Sequence, residues 1–149
     1  MSEIITDFAD VEALMLAVLR AAMPYAPTVE TYAGNLQDVA EGRFPLTKKP
    51  AVFVVFDAER FESVDGPQYL STMTFVVVIV ASSLREADES RTGEYGAYRM
   101  VRDVKNALIN VRLADNLDRL KPEEVILLLS TRTDAAYQIG FSVTMDQTY

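Results

Sequence analysis

At 149 residues, half of them hydrophobic, the chain has the length of one average domain and enough apolar material for a core without covalent staples. It contains no cysteine, no histidine and no tryptophan, which excludes disulfides, zinc–thiolate and iron–sulfur sites, thiol nucleophiles and histidine-based catalysis together. A net charge of −8 argues against a surface that wraps nucleic acid, because phosphate binding needs clustered Lys and Arg. Carboxylates and lysines remain available for acid–base work or for a hard cation. The opening residues, Met1 to Asp7, carry acids where a signal peptide needs a basic region. The longest apolar run, Phe75 to Ala81, is far short of a membrane span. These features predict a soluble protein made in a cytoplasm, with no membrane partner.

The first predicted element is a helix from about Asp7 to Met23. Phe8, Val11, Leu14, Met15, Val18, Leu19 and Ala22 recur at three- and four-residue spacing, Asp7 or Asp10 can cap the start, and Pro24 and Pro27 stop it. Thr28 to Tyr32 follows as a short β segment ended by Gly34. Asn35 to Pro50 is broken by Gly42, Pro45 and Pro50; Asn35 to Ala40 could form a helical turn, and the rest reads as loop. The continuous apolar run Ala51 to Phe56 predicts a central strand covered on both faces. Asp65-Gly66-Pro67 marks a turn, and a long strand runs from Gln68 to Ser82. Its first half alternates while its second is apolar on both sides, so one end should be central and the other should protrude as a hairpin arm.

Ser83 to Arg91 is charged and loop-like, and a second helix is predicted from about Thr92 to Val111. Tyr98, Val101, Val104, Leu108 and Val111 form its apolar stripe, widened by Ala97, Met100 and Ala107. After Pro122, the run Val125 to Leu129 predicts another doubly covered strand. Asp134-Ala135-Ala136 is short enough for a hairpin turn. In the closing segment Tyr137, Ile139, Phe141, Val143 and Met145 alternate with Gln138, Gly140, Ser142, Thr144 and Asp146, a strand with one buried and one wet face. The order α-β-β-β-α-β-β predicts a single α+β domain over residues 1–149, with a mostly antiparallel sheet and two helices on one face.

No set of residues converges on a recognisable active site, so no catalytic, cofactor or metal ligands are assigned and the chain is read as a non-enzyme. Asp57 and Glu59, two apart, would share one side of an extended strand and could hold Mg²⁺; a small-molecule or Mg-binding module, or a small enzyme built on that pair, is the alternative function. Gly93-Glu94-Tyr95-Gly96 could open a helix toward a phosphate, but Glu94 would repel the anion and no Walker lysine follows. Arg85, Arg91, Arg99 and Arg102 are the one basic cluster and suit an acidic neighbouring subunit. The tyrosines at 95, 98, 137 and 149 suit interfaces, although Tyr98 and Tyr137 fit a core equally well.

Four stretches together resemble a family of small Mu-like prophage virion proteins, encoded between head and tail-sheath genes. They are Val29 to Gly34, Lys49 to Val54, Arg91 to Tyr98 continuing to Asp103-Val104 and Leu108, and Tyr137 to Phe141 with the final Tyr149. Ala33 departs from the family's common proline. The element order also resembles tail terminator and tail completion proteins of long-tailed phages. That resemblance implies a homo-oligomeric ring, commonly a hexamer, that caps the tail tube or joins head to tail within the virion. It implies contacts with tube, sheath or connector proteins, with DNA only as passing cargo. On this reading the subunit-interface candidates are Arg85, Arg91, Arg99 and Arg102, with Phe61, Tyr69 and Tyr95, and surplus acids would keep passing DNA from adhering.

Overall fold

Helix α1 (Phe8–Ala22) starts where Asp7 caps it: the carboxylate accepts a hydrogen bond from the Ala9 N–H at 3.2 Å. Here the structure is a computed structural model, which describes residues 7–32, 41, 48–82, 96–131 and 133–148, with residues 147 and 148 described by backbone alone. Val11, Met15, Leu16 and Leu19 form the buried face of α1, as the spacing predicts, and the helix closes at Met23 before Pro24. Phe8, half-exposed at the first turn, stacks on Phe56 with ring centroids 4.0 Å apart.

Among the described residues five strands form one sheet in the order β1-β2-β3-β5-β4. They are β1 (Thr28–Thr31), β2 (Ala51–Asp65), β3 (Gln68–Ser82), β4 (Lys121–Ser130) and β5 (Asp134–Thr148). Only β1 with β2 is a parallel pair; the other neighbours are antiparallel. The predicted order of elements and the α+β class both hold. Residues Ala51 to Val54 are buried on both faces, as their unbroken apolar run requires. β2 and β3 join at Gly66, whose φ of +52° suits a residue without a side chain.

The predicted arm is present, and it has more than two strands. Arg60 to Gln68 are all exposed at the tip of the β2–β3 hairpin, and the last residues of β5 pair along it as far as Gln68 with Thr148. The closing strand begins at Asp134, so the predicted turn at 134–136 is already strand, and the chain reverses just before it at Thr131.

The second helix, α2, spans Ala97–Leu108 among the described residues. It ends before the predicted Val111 because Ile109 leaves the helical region and Asn110 turns at φ 64°. Its phase also differs from the predicted stripe. Ala97, Met100, Val104 and Leu108 are buried, whereas Tyr98 is half-exposed and Val101 only partly covered. The proposed turn at 35–40 and the charged segment 83–91 lie outside the described residues.

Both helices lie on one face: α1 over β1 and β2, α2 over β3 and β5. Between them and the sheet sits the main core, with Met15, Leu19, Met73, Phe75, Met100 and Phe141 fully or almost fully covered. A smaller cluster on the opposite face gathers Ala51, Phe53, Val76, Val78, Val80 and Ala136.

Candidate interaction surface

The largest correction concerns β4. Its apolar run predicts a strand covered on both sides, yet β4 is an edge strand and is exposed along most of its length. Val125, Ile126 and Leu127 keep 45%, 36% and 52% of their surface exposed. The reason is geometric: among the described residues the helix layer packs on β1, β2, β3 and β5, and neither helix extends its main packing to the next strand outward. Leu128 and Leu129 turn inward and pack on the smaller cluster. Register shifts between Pro122 and Val125 and between Leu127 and Leu129 bracket a regular segment of apolar side chains. Val125 and Leu127 pair with Ile139 and Tyr137, which places them on the helix side, next to half-exposed Tyr98, whose ring meets Tyr137 edge-on at 6.1 Å.

A second exposed apolar group sits on the arm. Phe61 is 54% exposed and Val64 60%. The Phe61 ring lies edge-on to Tyr69 at 6.5 Å, so both aromatic candidates of the arm share one site.

The basic cluster divides. Arg85, Arg91 and Tyr95 lie outside the described residues. Arg102 is exposed on α2. Arg99 is engaged within the chain: its Nε lies 3.6 Å from the Asp103 carboxylate and its guanidinium 5.1 Å from the Tyr25 ring centroid. The Tyr25 hydroxyl donates to the same carboxylate at 2.6 Å. Burial, then this hydrogen bond, pushes the phenol well above its ordinary range. The trio ties the end of α1 to α2, so reversing the charge at Arg99 would test packing as much as assembly. Replacing Tyr25 by Phe is expected to cost about 1 kcal/mol in urea unfolding, the worth of one charge-assisted, half-buried hydrogen bond. An unchanged midpoint would count against the tie.

Asp57 and Glu59 do not share a side. The sheet register slips between Phe56 and Ala58, so the extended two-residue repeat fails there. Asp57 accepts from Thr74 Oγ1 at 3.2 Å, and Glu59 accepts from buried Ser71. Ser71 and Thr74 are three apart on β3 and face opposite sides of the sheet. The proposed cation pair is therefore split across the sheet. Among the described residues no group of three or more Asp or Glu is placed to hold a metal ion. Two open depressions of ≈ 300 and ≈ 290 Å³ lie beside Arg20 and Pro27 and beside Arg112 and Asp146. Among the described residues no helix is long and apolar enough to cross a membrane.

Fold and surface thus define an α+β protein that displays two apolar patches and scatters its described carboxylates. Residues 7–145 match the model of the family described as bacteriophage Mu, Gp37. The chain belongs to that family, and the matched span runs from the α1 cap through the arm segment of β5. Among curated proteins no match is found.

Proposed function

We propose that this protein is a virion component of the tail terminator or head–tail joining type, acting as a homo-oligomeric ring, a hexamer, that caps the tail tube. Membership of a phage Mu family supports the coarse statement, a phage structural protein. The observation that supports the finer one is β4: an edge strand whose stretch from Val125 to Leu129 carries no charge and leaves three large apolar residues exposed, next to the charged Lys121, Glu123 and Glu124. Soluble proteins blunt such edges with charges or cover them. An edge left this way is completed by another polypeptide.

The second patch matters equally. A closed ring uses two different surfaces on each subunit, and the arm and the edge strand supply two. Neighbouring tube, sheath or connector proteins would meet the faces of the ring, and DNA would pass through it as cargo. The surplus of acids, 22 against 14 basic residues, suits a channel that must not retain a polyanion.

Light scattering together with electron microscopy tests the ring. The expected result is a concentration-dependent assembly that shows a central hole. Two-fold dimers or linear fibres in place of closed rings would contradict the reading.

A further inference from the structure

We infer that, in the proposed ring, the face of the arm turned away from the helices lines the channel, where double-stranded DNA slides past it. This rests on the ring reading and names the wall of its channel.

The arm has two unlike faces. Phe61, Ser71 and Met145 are level across three strands and look toward the helix side, where Met145 joins the main core. The opposite face is built of hydroxyls: Thr72 pairs with Thr144 and Thr74 with Ser142, all four half-buried on neighbouring strands. Carboxylates surround them. Asp57 accepts from Thr74, and Glu62 and Asp146 flank Leu70 from either side. Glu123 enters from β4, where a side chain added at Gly140 would meet its Cβ at 3.5 Å. Among the described residues the cations on this face are Arg60, level with Thr72, and Lys121, level with Ser142. Lys121 already has a carboxylate, that of Asp118, at 3.9 Å.

For a passing polyanion the position of the acids matters more than the total of −8. At physiological salt a charge is screened within about 8 Å, and a helix with its side chains is about 10 Å thick. Acids on one face of the molecule therefore do little for DNA that passes the other. The two helices together carry four basic and three acidic residues, so their face has no surplus of acid. Turned to the channel, it would offer exposed Arg102 and Lys105 to the phosphates. On the hydroxyl face the carboxylates outnumber the cations, and the side chains between them are short and neutral. The same orientation keeps Val125 and Leu127, which lie on the helix side, off the channel wall.

The test adds lysines to one face at a time. One full-length variant carries Glu62→Lys with Asp146→Lys, and Glu123→Lys alone is an independent second. A third carries Ala13→Lys with Ala17→Lys, at two exposed positions of α1. Each is checked for a parent-like unfolding midpoint and for rings by electron microscopy. Preformed rings are then mixed with linear duplex DNA or with a closed circle of the same sequence, and retention is read by gel shift. Only DNA with an end can enter a closed ring. Parent rings should hold neither form. Rings with lysines on the hydroxyl face should hold the linear form at least tenfold better than the circle, less so as salt rises. The α1 variant should not tell the two forms apart. Equal retention of line and circle by the hydroxyl-face variants, or no retention at all, would overturn the assignment. A preference of the α1 variant for linear DNA would place the helices on the wall instead. Parent protein that forms no rings would remove the ring reading, and this wall with it.

Discussion

Phe75→Ala is expected to destabilise the protein by about 3–5 kcal/mol, a large part of the roughly 5–15 kcal/mol that holds a domain of this size together. Phe75 sits midway along β3, fully buried, with Phe56 and Phe141 opposite it on the strands to either side. The Phe56 ring meets it edge-on at 5.6 Å, and Phe8 stacks on Phe56 in turn. Removing the middle ring therefore leaves a cavity walled by strands that cannot move closer, because their spacing is set by backbone hydrogen bonds. A drop in Tm on the order of 10 °C follows for a chain of this length. The informative control is Tyr98→Ala. Tyr98 falls on the apolar stripe that spacing predicts for α2, but it is half-exposed, so its loss should cost well under half as much. Equal costs at the two positions would mean that the helix phase described above is wrong.

That contrast shows what could be read from the residues and what could not. Continuous or alternating hydrophobicity located the buried part of the sheet, and the Gln68 to Ser82 strand agrees in both boundaries, whereas β2 runs on from the predicted Ala51–Phe56 to Asp65 through residues with no apolar pattern. The phase of α2 was harder. Ala97 and Tyr98 are adjacent, both belong to stripes of three- and four-residue spacing, and only the distance to β3 and β5 decides that the small residue goes inside. The bulge at Asp57 leaves no trace in composition, yet it separates the two carboxylates on which the alternative function depended. Tyr25 and Asp103 meet across 78 positions of sequence, with no local pattern to announce them. β4 is the most instructive case. Val125 to Leu129 reads the same whether a strand is covered by its own chain or by another, since hydrophobicity records that a side chain is to be buried and says nothing about whose surface buries it.

The same ambiguity gives the last prediction its force. Leu127→Lys should leave the fold of the isolated chain within about 0.5 kcal/mol of the parent, because the side chain already stands half in water and a lysine stem can lie along the same surface. Assembly should respond very differently. At the centre of a subunit contact a leucine that fills an apolar site is worth about 2 kcal/mol or more, and an ammonium group there would also have to be stripped of water. Two kilocalories weaken each contact roughly thirtyfold, and closure of the proposed ring would multiply the loss, since every subunit would use the contact on both sides. Lysine on an edge strand is also the device by which soluble proteins keep edges from pairing. The comparison needs both readouts on one preparation, thermal unfolding for the fold and light scattering for the assembly. Parent-like unfolding with the assembly lost places the interface on β4; parent-like unfolding with the assembly intact shows that β4 faces water in the particle, and the apolar edge would then need a different explanation.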